Sequence, residues 1–132
     1  MKELNVVAAI LIYNNKILCA QRAEGKYEYI SYKYEFPGGK LEAGESPEEA
    51  LHRELIEEMD VNVDINKMKY FNTVNHEYPD FKIKMQSFIC NVENANINLK
   101  EHVSIKWLEK NQLNTLDWAA ADLPIVEKLM NI

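Results

Sequence analysis

Apolar residues fall into two rhythms along this chain. Leu4 to Tyr13 is a nearly continuous run rich in Val and Ile, the pattern of a strand buried on both faces. Asn14-Asn15 interrupts it as a tight turn, and Lys16 to Arg22 follows as a second strand. Residues 23 to 33 are polar and tyrosine-rich with one glycine, which predicts an exposed loop. Tyr34 to Phe36 predicts a short strand running into a chain reversal at Pro37-Gly38-Gly39. Two long alternating runs, Lys67 to Glu77 and Phe81 to Val92, predict a hairpin turning at Pro79-Asp80, and Val103 to Leu108 predicts one more strand.

Helical rhythm appears twice. Ser46 is placed to cap a helix, with Pro47 at the first helical position and Glu49 completing a capping box, so a helix is expected from Pro47 to Met59. Its core stripe is expected to be Leu51, Leu55, Ile56 and Met59. Asp122, with Pro124 just inside, opens a last helix ending near Met130. This order of elements predicts an α/β sandwich with a mixed central sheet, and 132 residues fit one domain spanning 1–132.

Composition narrows the function classes. A chain that is 47% hydrophobic and 27% charged is neither disordered nor of low complexity. Cys19 and Cys90 lie inside apolar runs, which excludes a disulfide scaffold and a cysteine-based zinc site. The longest apolar stretch, Val6 to Tyr13, has eight residues, whereas a helix spanning a bilayer needs roughly 20. With no leader pattern at the N-terminus, the expectations are a reducing cytoplasm and no membrane partner. A net charge of −6 without a basic stripe argues against a polynucleotide partner.

The acid is concentrated. Between Glu42 and Asp60 stand eight acidic residues and one arginine. At about 100° per residue, Glu54, Glu57 and Glu58 share an arc of roughly 100° on the predicted helix. Like charges at these spacings destabilise a helix, and a hard divalent cation such as magnesium or manganese would remove the penalty. A solvated acidic face would show the same three glutamates, so the wider pattern has to decide.

That wider pattern is Gly39, Glu45, Arg53, Glu54, Leu55, Glu57, Glu58 and Val61 at fixed spacings over 23 residues. It resembles the Nudix box, with one departure: Asp60 stands where the family has glycine. Aspartate is among the residues that tolerate the left-handed backbone such a turn requires. Glu35-Phe36-Pro37-Gly38-Gly39-Lys40 resembles the approach to the box in MutT-type members. Ala121-Asp122-Leu123-Pro124 is similar to a segment of the CTP pyrophosphohydrolase branch.

The resemblance implies a Nudix-type α/β/α sandwich and an enzyme that hydrolyses a nucleoside triphosphate to monophosphate and pyrophosphate. It implies a magnesium site, with manganese as a substitute, formed by Glu54, Glu57, Glu58 and the Gly39 carbonyl. Arg53 would orient a glutamate of the set, with Glu45 the candidate. Glu101 matches the place of a water-activating glutamate, with its neighbour His102 as competitor. Arg22 matches an arginine on the substrate phosphates, and Asp122 a residue that reads the base edge, although it is equally suited to cap the last helix. An ionised Asp122 would only accept hydrogen bonds and so would favour cytosine; 8-oxo-dGTP competes. Phe36, Tyr78 and Trp118 are candidates for a stacking surface or for the core. Tyr78 also lies near the place of a tyrosine in dinucleoside polyphosphate hydrolases. ADP-ribose or a sugar nucleotide as substrate stays open as well, as does a non-catalytic module that only binds a nucleotide. The protein is expected to be a monomer or homodimer.

Overall fold

A computed structural model describes residues 1–132. Its centre is a seven-stranded mixed sheet. Strand β1 (Lys2–Tyr13) turns at Asn14 and Asn15, both with positive φ, into β2 (Lys16–Gln21). That pair of left-handed residues fits the right-handed twist of a two-residue hairpin, for which asparagine is well suited. The predicted hairpin forms as β5 (Lys69–Glu77) and β6 (Phe81–Asn91), and β6 runs parallel to β1 from Lys2 opposite Phe81 to Ile12 opposite Asn91. Strand β7 (Ser104–Leu108) pairs with β2.

The strands β1 and β2 pair only beside their turn. Beyond it the chain from Tyr34 to Lys40 occupies the opening between them. Its first part, β3 (Tyr34–Glu35), pairs with β2, and its second, β4 (Gly38–Lys40), pairs with β1. The Pro37 carbonyl between them accepts from the Ala9 N–H at 2.7 Å. The expected chain reversal at Pro37-Gly38-Gly39 is therefore an extended wedge. The glycines are there for close approach: a Cβ on Gly38 would overlap the Val7 carbonyl.

Helix α1 (Pro47–Met59) forms with the expected cap: Ser46 Oγ accepts from the Glu49 N–H, and the Glu49 carboxylate accepts from the Ser46 N–H. Its Ala50, Leu51, Leu55 and Met59 pack on one face of the sheet against Val7, Ala9, Leu11 and Leu18. Ile56, expected in this stripe, is 39% exposed, because it lies at the edge of the arc facing away from the sheet. On the opposite face, helix α2 (Leu123–Met130) buries Ile125, Val126 and Leu129 against Ile10, Ile17 and Cys19. The result is the expected sandwich. The loop at 23–33 is not simply exposed, since Tyr29 stacks on Tyr27 and Tyr78, and Tyr27 packs at a tilt against Phe81. No helix is long and apolar enough to cross a membrane.

The wedge gives a direct test. Gly38→Ala should destabilise the protein by about 3 kcal/mol through overpacking against rigid backbone. Gly25→Ala, where a Cβ meets open space, should leave stability nearly unchanged. Urea midpoints check this, and a parent-like midpoint for Gly38→Ala would contradict the wedge.

Candidate active site

The acidic segment is organised by its one arginine. The Arg53 Nε donates to Glu45 Oε2 at 2.7 Å, and Nη2 donates to Glu45 Oε1 at 2.9 Å and to the Lys40 carbonyl at 3.0 Å. Its Nη1 donates to Glu54 Oε1 at 3.0 Å and Glu57 Oε2 at 3.2 Å. All the donors of the guanidinium are thereby used, and the bidentate grip on Glu45 is the strong form of such a pair. Glu45 is held down to about 2 by these bonds and by the Glu42 N–H. It is therefore ionised throughout the working range.

One cation does not balance the carboxylates on this face. Glu54 and Glu58 lie within hydrogen-bonding reach of each other, and burial, Glu54 and Glu101 together push Glu58 well above the usual carboxylate range. Gly39 makes this crowding possible, because a Cβ there would overlap the Glu54 carboxylate. Carboxyl groups forced together in this way suit a hard divalent ion. No three carboxylate, imidazole or thiol groups converge closely enough to enclose an ion by themselves. Arg53 holds one oxygen each of Glu54 and Glu57; magnesium is usually bound by only one or two carboxylates, with water and phosphate oxygens completing its shell.

A second network faces the same cleft, of about 1030 Å³. Glu35, at the end of β3, bridges two groups: its Oε1 accepts from Arg22 Nη1 at 2.9 Å, and its Oε2 lies 2.9 Å from His102 Nε2. Arg22 Nε and His102 Nδ1 are buried without a partner. The sequence pattern does not single out Glu35, although it opens the Glu35-Phe36-Pro37 approach to the box. Only the fold shows that it joins β2 to the loop before β7. Glu101 is exposed and lines the cleft beside the α1 carboxylates, whereas the His102 imidazole is 5% exposed and tied to Glu35.

Phe36 and Tyr78 line the cleft, but Trp118 does not. The Phe36 ring stacks on Trp118 at 4.7 Å and both are buried, so Trp118 is a core residue. The Tyr78 hydroxyl accepts from the Ala121 N–H at 2.9 Å, fixing the entry to α2.

Asp122 lines the cleft but departs from the expected helix cap. It makes no side-chain cap, because the chain enters α2 through a short 3-10 turn, Ala120–Asp122, and Asp122 has helical φ and ψ. Instead its Oδ1 accepts from the Phe36 N–H at 3.0 Å. It is 5% exposed, and burial and the nearby Glu35 raise its pKa well above 3.8, against the opposing pull of the Phe36 N–H and Arg22. Burial and the Glu35 carboxylate both act against the ionised form of Asp122. A raised folded pKa means that this stability is present at low pH and lost as pH rises through the folded pKa. Relative to Asp122→Asn, the parent should therefore lose thermal stability as pH climbs above 3.8. Asp122→Asn, which keeps the bond to Phe36 without the titration, should fall less; parallel curves would contradict the shift.

Residues 3–129 match the NUDIX domain model. The 8-oxo-dGTP diphosphatase of Escherichia coli K12 is 32% identical over 133 residues, covering all of both chains. The CTP pyrophosphohydrolase of the same organism is 31% identical, covering 98% of this chain and 93% of the relative. The solution structure of the E. coli ORF135 protein superposes with a TM-score of 0.83 at 30% identity, covering 99% and 91% of the two chains. With a family model spanning nearly the whole sequence and full-length relatives at this identity, the chain belongs to the NUDIX family and is a MutT-like hydrolase within it.

Proposed function

We propose that this protein is a nucleoside triphosphate pyrophosphohydrolase dependent on magnesium or manganese, and that its preferred substrate is an oxidised guanine nucleotide such as 8-oxo-dGTP. The observation that carries the activity is the single cleft lined by the α1 carboxylates, Arg22, Glu101 and Asp122. A triphosphate needs its charge neutralised and its base held by one surface, and these groups supply both functions.

Glu54, Glu57, Glu58 and the Gly39 carbonyl would hold the ion. When bound, it supplies charge neutralisation on the phosphate oxygens and a template that orients them. Arg22, steadied by Glu35, has a free buried Nε with which to donate to phosphate. Water attacks the β-phosphorus, the bond to the oxygen bridging to the α-phosphorus breaks, and the monophosphate leaves. Glu101 accepts the proton of the attacking water. Its carboxylate acts on Glu58 directly, whereas the imidazole of His102 is committed to Glu35.

Asp122 sets the base preference. A neutral carboxylic acid offers one donor and one acceptor side by side. That pair complements a ring edge with a carbonyl next to an N–H, as in 8-oxoguanine. The second reading, CTP or dCTP, requires Asp122 to ionise when the base binds, so that it accepts from the cytosine amine. The similarity to a CTP pyrophosphohydrolase favours keeping it.

Activity should vanish with chelator and return with magnesium or manganese, releasing pyrophosphate. Orthophosphate as the first product would contradict the assignment. Glu57→Gln should cost at least about 100-fold in kcat by weakening the hold on the ion; an equally active variant removes Glu57 from the site. Asp122→Asn reproduces the donor and acceptor pair of the neutral acid. It should keep 8-oxo-dGTP turnover within several-fold of the parent. Collapse of 8-oxo-dGTP turnover, or a CTP preference in the parent that Asp122→Asn abolishes, would establish the ionised reading instead.

A further inference from the structure

Glu101 has nothing of its own to hold it. Neither its backbone nor its carboxylate makes a hydrogen bond within the protein, and it is exposed. Its position is set by its two neighbours. His102 is tied to Glu35, as described above. Lys100 Nζ donates to Asp60 Oδ1 at 2.9 Å, and the other oxygen, Oδ2, accepts from Asn98 Nδ2 at 2.7 Å. The Asn98 N–H also donates to the Met59 carbonyl at 3.1 Å, and Ile97 and Leu99 pack on the core beneath α1. The segment therefore lies along the C-terminal end of α1 with alternate side chains turned to the core and to Asp60.

Asp60 is the residue that departs from the Nudix pattern. It ends α1 with a left-handed backbone, φ 55°; its N–H donates to the Ile56 carbonyl at 3.1 Å, and the next N–H, of Val61, donates to that of Leu55 at 3.2 Å. A glycine would satisfy those backbone duties with less strain. What glycine lacks is the carboxylate that grips Asn98 and Lys100.

We propose that Asp60 is a positioning residue: its carboxylate pins Lys100 and Asn98 to the end of α1 and thereby fixes Glu101 beside the metal-binding carboxylates. This rests on the assignment of Glu101 as the group that accepts the proton. The interaction is exposed and worth little to global stability, but it acts on a residue whose placement has no other support on that side. A misplaced catalytic carboxylate is felt in turnover rather than in substrate affinity.

The test measures kcat, KM and melting temperature for Asp60→Gly, Lys100→Met, the double variant and Glu101→Gln, with 8-oxo-dGTP and CTP as substrates and pyrophosphate detection. Asp60→Gly should melt at or above the parent temperature, yet lose about 3- to 10-fold in kcat with KM within about twofold. Lys100→Met, which leaves the helix end and the Asn98 contact untouched, should lose kcat in the same direction and by no more than Asp60→Gly. The double variant should be no slower than Asp60→Gly, which already removes the Lys100 contact. A purely structural role for Asp60 gives a different outcome, with parent kcat in Asp60→Gly while Glu101→Gln is slow, and that overturns the positioning role alone. Parent kcat in Glu101→Gln overturns the base assignment and this proposal with it.

Discussion

The guanidinium of Arg53 is the interaction on which the site depends. It joins the end of β4 through the Lys40 carbonyl, the following loop through Glu45, and the helix through Glu54 and Glu57. These three segments meet nowhere else through a cation. Its bonds to Glu54 and Glu57 also relieve part of the repulsion that the bare helix would carry. The relief is incomplete: burial first, then Glu54 and Glu101, push Glu58 well above the usual carboxylate range, and carboxyl groups crowded in this way suit a divalent ion.

The sheet supplies the second constraint. Because β1 and β2 separate after their turn, the chain from Tyr34 to Lys40 fills the gap and brings Glu35, Phe36 and Gly39 to the cleft together. The groups proposed for phosphate contact, base contact and the metal site thus meet at one short wedge. Glu35 binds the Arg22 side, the Phe36 N–H fixes Asp122, and Gly39 leaves room for Glu54.

Helix α1 was legible in the sequence because its signals are local: a cap, a proline and a glutamate within four residues, followed by a 3.6-residue rhythm. The β5–β6 hairpin was legible through alternation and its turn. The wedge was not, since proline and two glycines signal reversal unless a partner strand is known to need close approach. Nor was the contact of Asp122 with Phe36, which joins residues 86 positions apart. Aspartate before a proline reads as a cap, and only tertiary packing draws its carboxylate inward. Ile56 shows the limit of the helical wheel, where an apolar residue at the edge of the stripe remains at the surface. The acidic set itself was visible as charge, but how Arg53 divides its five donors among it was not.

In the proposed function the carboxylates of α1 hold a divalent ion around which the rest of the cleft is arranged. Calorimetric titration of manganese into the parent and into the variant carrying Glu54→Gln, Glu57→Gln and Glu58→Gln tests it most directly, with circular dichroism confirming that both are folded. The expected result is a saturable site in the parent that is absent from the variant. Equal manganese binding by the two proteins would place the ion elsewhere and contradict the claim.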